Sequence, residues 1–220
     1  MKNLLAVKKF IAKGIFSRLC EIGEGEMKFK AIVIGASAGG FDAIRTILMG
    51  LEEGFDAPIL IVQHLSSHSD NYMVTRLNEI CRINVMEAEE KEKVHSGNAY
   101  FAPPNYHLLV EEDETLSLTV EPKVNYARPS IDVLFETAAN VYGNGLIGVI
   151  LTGANSDGSK GLKRIKELGG ITIVQDPKTA ESNSMPMAAI AITKVNYILE
   201  LREISTKLVE LIGGKNESNR

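Results

Sequence analysis

The residues best able to do chemistry follow the apolar runs of this chain. Gly35-Ala36-Ser37-Ala38-Gly39-Gly40 comes directly after KAIVI. It fits G-x-S-x-G, a sharp strand-to-helix turn that projects a serine hydroxyl, with flanking glycines that let the turn tighten. Two other readings fit the same residues. One is a phosphate loop with backbone N–H groups at a helix N-terminus, and the other is a plain turn in which Ser37 caps the helix. The dinucleotide fingerprint wants glycine at position 37, and the Walker pattern wants a following lysine that this loop lacks.

A nucleophilic serine needs a base and a group to orient that base. His64 closes the run ILIVQ, 27 residues after Ser37. Ligands bind at the C-terminal ends of parallel strands, so both residues can reach one sheet edge. His68 follows four residues later, but HLSSH lacks the glutamate of a zinc helix and no third ligand is evident. His95 lies in a charged segment, and His107 opens a short strand as a surface or core residue. A third apolar run, GVILTG, leads into Gly153-Ala154-Asn155-Ser156-Asp157-Gly158. Asp157 is the carboxylate placed to orient an imidazole, although an Asp before a helix also reads as a cap worth about 1 kcal/mol. N–H groups of this loop and of Ala38 form a candidate oxyanion hole. The chain order Ser…His…Asp differs from the Ser…Asp…His of α/β-hydrolases.

The elements that must position these residues alternate between two periods. Apolar runs at 30–35, 58–64, 145–153, 171–175 and 196–201 read as strands. Amphipathic stretches at 41–51, 69–81, after 158 and 203–212 read as helices. This predicts an α/β fold with a doubly wound, mostly parallel, Rossmann-like sheet covered on both faces. AYFAP (99–103), HLLVEE (107–112) and TLSLTV (115–120) read as an inserted antiparallel excursion with a hairpin across Asp113–Glu114. EAEEKEKVH (87–95) reads as a solvated charged loop. Ser130 reads as the N-cap of a helix SIDVLFETAANVY, with Asp132 in its first turn.

Composition narrows the function further. In 220 residues there are 24 Lys+Arg against 28 Asp+Glu, a net charge of −4, and the hydrophobic fraction is 45%. That supports a packed core and disfavours binding to a nucleic-acid backbone. Cys20 and Cys81 form no metal or disulfide pattern, which fits a reducing, cytoplasmic setting. No apolar run is long enough to span a membrane. Residues 1–27 read as an accessory amphipathic basic segment, with Met27 as an alternative start. Residues 28–214 read as one catalytic domain, and 215–220 as a disordered polar tail. No cofactor or metal is expected.

Six segments in order resemble the catalytic domain of the CheB chemotaxis methylesterases: AIVIGASAGG, PILIVQH, AYFAPPNYHLLV, ARPSIDVLF, GVILTGANSDGSKG and VQDPKTAESNSMPMAAI. The resemblance covers about residues 28–213. It implies catalytic Ser37, His64 and Asp157, with backbone oxyanion donors near Ala38 and Ala154. The implied reaction is hydrolysis of methyl esters on receptor glutamates, with glutamine deamidation as a second activity. The implied partners are methylated receptor helices. Since no receiver domain precedes the match, the expectation is either a stand-alone esterase without phosphorylation control or a regulatory partner protein. Four positions depart from the family pattern. Ala38 replaces a hydroxyl residue, Ala154-Asn155 replaces Met-Gly, where the asparagine is expected to alter the loop dihedrals, and Met187 replaces a basic residue. Two rival functions remain at this level: an anion- or nucleotide-binding module, and a catalytically weak signalling scaffold.

Overall fold

The computed structural model describes residues 29–64 and 72–213. His68, Cys20, Met27, the amphipathic segment and the polar tail lie outside the described residues. Nine strands, six α-helices and one short 3-10 helix are present among those described. β1 (Ala31–Ala36) leads to α1 (Gly40–Met49), β2 (Ile59–Gln63) and α2 (Tyr72–Ile80). β3 (Asn84–Glu87), β4 (Asn98–Phe101), β5 (His107–Val110) and β6 (Leu116–Thr119) follow. The chain continues through α3 (Ile131–Tyr142), β7 (Leu146–Ile150), α4 (Ser159–Glu167), β8 (Ile171–Gln175), α5 (Ser184–Ile192), β9 (Tyr197–Leu199) and α6 (Leu201–Gly213).

Seven strands form one sheet in the order β3-β4-β2-β1-β7-β8-β9, and every pair in it is parallel. The expected doubly wound sheet is therefore present. Its strands are apolar at consecutive positions because both faces are covered. Ile32, Ile34, Ile59, Ile61 and Val149 face α1, α2 and α6. Ala31, Val33, Leu60, Val62 and Ile150 face α3, α4 and α5, together with the β5–β6 hairpin.

The middle of the chain departs from the sequence reading. AYF does not join the antiparallel excursion; β4 pairs in parallel with β2 and β3. Only β5 and β6 form the expected hairpin. The start of the charged stretch, Glu87, ends β3. This edge strand escaped notice because NVME is short and only Val85 is buried, so it carries almost no periodic signal.

Strand order reverses at β1, which lies between β2 and β7. The register aligns Ala36 with Gln63 and Gly35 with Ile150. Ladder bonds run beyond the strand ends: His64 N donates to Ala36 O at 3.0 Å and Ser37 N to Thr152 O at 2.9 Å. The three loops that carry Ser37, His64 and Asp157 thus leave the sheet side by side at its topological switch point.

Helices α3 and α4 cross tightly at Gly161, where an added Cβ would strike the Phe135 Cβ and come within 3.2 Å of Asp132 O. We expect Gly161→Ala to destabilise the fold by about 1–3 kcal/mol, read as a lower urea midpoint. An unchanged midpoint would contradict this packing.

Candidate active site

Asp157 accepts hydrogen bonds from five protein groups, and its side chain is fully buried. Its Oδ2 accepts from His64 Nε2 at 2.9 Å and from the Ile131 N–H at 2.7 Å. Its Oδ1 accepts from Asn125 Nδ2 at 2.8 Å, Ser130 Oγ at 2.9 Å and the Asp132 N–H at 3.3 Å. Burial pushes the carboxyl upward, but the hydrogen bonds from His64, Asn125 and Ile131 outweigh it. Together they hold Asp157 below the ordinary carboxylate value.

Two capping expectations are corrected here. Ser130 does occupy the N-cap position of α3, but its hydroxyl makes no cap bond and donates to Asp157 instead. Asp157 does not cap its own helix, since α4 starts after Gly158 with no side-chain cap. It caps α3 from a different part of the chain, where the helix dipole favours a negative charge. Buried His107 completes this corner. Its Nδ1 accepts from Ser130 N and its Nε2 donates to Pro122 O, both at 3.2 Å.

The tautomer of His64 follows from its partners. Nε2 faces a carboxylate and carries the proton. Nδ1 faces Asn155 Nδ2 at 3.1 Å and keeps its lone pair. The Asn155 amide orientation is fixed in turn, because its Oδ1 accepts from the Asp157 N–H at 3.0 Å. The usual triad places the carboxylate on Nδ1; here the carboxylate meets Nε2 and Asn155 meets Nδ1.

Ser37 and His64 line one cleft of about 470 Å³, rimmed by Lys123, Tyr126 and Arg128. Among the described residues the Ser37 hydroxyl makes no hydrogen bond. Ala38 and Ala154 are both exposed within their loops. The Ala38 and Ala154 N–H groups are engaged by no described protein group. Met187 is exposed. His95 donates its backbone N–H to Tyr100 Oη. Asn155 has no positive φ, so it sits in the loop without left-handed backbone strain. Arg128 is a brace: its Nη1 donates to Val120 O at 2.6 Å and Glu121 O at 3.1 Å.

Several positioning residues were not singled out from the sequence. Gln63 Nε2 donates to Ser37 O at 2.8 Å and to His64 O at 3.0 Å, tying the two loops together. Gly40 is required there because any Cβ would collide with the Gln63 amide. Gln175 Oε1 accepts from Thr152 N at 2.9 Å. The Gly153 N–H donates to Ser182 O and its carbonyl accepts from Met185 N, both at 2.9 Å. A Cβ at Gly153 would lie 2.9 Å from that of Ser37. A signal existed for the two glutamines: each is the polar residue that ends a largely apolar strand run. Asn125 sits with Tyr126 in a tight turn at φ 49° and 64°, closed by paired bonds between Val124 and Ala127. No pattern in the sequence connects that turn to Asp157.

The family model for CheB methylesterase matches residues 32–208. The chain belongs to the CheB methylesterase family. The crystal structure of the Thermotoga maritima CheB methylesterase catalytic domain superposes with a TM-score of 0.80 at 35% identity, covering 84% of this chain and 99% of that one. A Leptospira interrogans relative is 55% identical over 185 residues, covering 84% of this chain and 96% of its own length. A Pyrococcus horikoshii protein-glutamate methylesterase/protein-glutamine glutaminase is 38% identical over 196 residues, and the match covers 53% of that protein. The CheB resemblance read from six segments thus holds across the folded unit. Among the described residues no helix is long and apolar enough to cross a membrane, and no cluster of His, Cys, Asp and Glu could hold a metal ion.

The ionised form of Asp157 is the one stabilised by folding. Its contribution is complete above the ordinary carboxylate value near pH 4 and is lost as pH falls through the lower folded value. Asp157→Asn presents an amide to converging donors. We expect a loss of about 2–3 kcal/mol at pH 7 in urea unfolding, narrowing below pH 4. A gap of equal size at both pH values would contradict the assignment.

Proposed function

We propose that this chain is a protein-glutamate methylesterase, with protein-glutamine deamidation as a second activity, working through Ser37, His64 and Asp157. The observation that carries the reading is the 2.9 Å contact of His64 Nε2 with the buried, ionised Asp157, in the cleft that Ser37 also lines. The names borne by relatives across the family support the same chemistry.

Asp157 fixes the Nε2–H tautomer, which leaves Nδ1 as general base. In the reaction Nδ1 takes the proton of Ser37 Oγ while the oxygen attacks the ester carbonyl carbon. The imidazolium that forms is stabilised by the carboxylate on its far side. The N–H groups of Ala38 and Ala154 receive the developing oxyanion. The imidazolium returns the proton to the departing methoxide, methanol leaves, and water then hydrolyses the glutamyl-Ser37 ester by the same relay. A glutamine side chain would follow the same path, with ammonia as leaving group. The substrate is a methylated glutamate on a chemotaxis-receptor helix. It is presented in the cytoplasm and enters across the Lys123–Tyr126 rim, and a separate partner protein regulates the reaction.

An anion-binding module fits less well. The cleft holds an ionised carboxylate behind His64, and the Glu181 carboxylate packs against Gly39, where a phosphate loop would need open N–H groups.

Ser37→Ala is expected to lower methanol release from a methylated receptor fragment by roughly 10⁴-fold or more with unchanged thermal unfolding. Retained turnover would refute the nucleophile. Gln63→Leu is expected to lower kcat by roughly 10–100-fold with little change in KM, because the Ser37 and His64 loops lose their common tie. A KM effect alone would assign Gln63 to substrate binding instead.

A further inference from the structure

The geometry points to Asn155 as a latch on the catalytic base, holding the site in a disengaged resting state until its amide leaves His64. The inference rests on the Ser37–His64–Asp157 reading above. An N–H of Asn155 donates to His64 Nδ1 at 3.1 Å, the lone pair that must accept the Ser37 proton. One lone pair cannot take the amide proton and the serine proton together. The Ser37 hydroxyl has no hydrogen-bond partner among the described residues, as expected if the amide holds its place.

The latch is built at both ends. Asn155 Oδ1 is anchored by the Asp157 N–H at 3.0 Å, so the amide pivots about the same residue that fixes the far side of the imidazole. Asn155 lines the cleft and is half-buried, so a molecule filling the cleft can reach it. Swinging the amide off Nδ1 while Oδ1 keeps the Asp157 N–H gives up one neutral hydrogen bond. That step precedes serine deprotonation and is added to its barrier. Glycine, the residue of the family pattern at this position, has no side chain that could occupy Nδ1. Asn155 is therefore a positioning residue that acts through His64, and it sets how readily this chain engages its nucleophile.

The test uses the full chain and its Asn155→Gly and Asn155→Ala variants. Two readouts are taken: the rate of Ser37 labelling by a fluorophosphonate, and the ¹⁵N resonance of His64 Nδ1 at a pH where the ring is neutral. Both variants should label faster, by roughly 2- to 12-fold, the factor that one neutral hydrogen bond represents. Their Nδ1 resonance should move toward that of a lone pair without a donor, while the Nε2–H signal to Asp157 stays in place. Unchanged or slower labelling in both variants, with thermal unfolding preserved, overturns the latch. An Nδ1 resonance that does not move in either variant overturns it too. Failure of the esterase reading looks different: Ser37 of the unmodified chain would not be labelled at all, whatever residue stands at 155.

Discussion

A buried negative charge has to be surrounded by donors or it will not stay ionised, and this constraint organises the site around Asp157. Five donors converge on its two oxygens: the imidazole, an asparagine amide, a serine hydroxyl and two N–H groups at the start of α3. They come from residues 64, 125 and 130–132, parts of the chain with no local relation. Satisfying one carboxylate therefore pins the end of β2, the turn before α3 and the loop after β7 to a common point.

A second carboxylate lies close by. Asp132 shares the Asn125 amide with Asp157 and also accepts from the Gly161 N–H at 2.8 Å. Burial raises its carboxyl above the ordinary value, with the charge of Asp157 adding to the rise. The pair illustrates how environment separates like groups: the carboxylate with more donors stays ionised and orients the imidazole, and its neighbour bears the repulsion. Asp132 ties α3 to α4, so the packing of these helices and the position of the Asp157 carboxylate are coupled.

The sheet supplies the other half of the arrangement. Parallel strands end on the same side, and the reversal of strand order at β1 opens a crevice there. Gln63 and Gln175 then hold the loops leaving those ends through side-chain amides that replace missing ladder bonds. Polar groups buried at strand ends are costly unless bonded, and here the bonds join loops that must keep a fixed separation.

By itself the sequence determined the class of fold and the three residues of the proposed triad. Long apolar runs and amphipathic helices carry their own periodicity, and strand-end loops in a parallel sheet share one edge whatever their separation in the chain. It could not reveal which nitrogen of His64 faces Asp157, that Asp157 caps α3 and not its own helix, or that Asn155 meets the other ring nitrogen of His64. Nor did it reveal β3, a short strand with only Val85 buried, or the parallel pairing of β4 with β2 and β3, because a strand's own residues do not name its partner. Each of these depends on contacts across tens of residues, such as 64 with 157 and 125 with 132 and 157. Local propensity says nothing about such pairings, and they are decided only when the packed sheet brings the loops together.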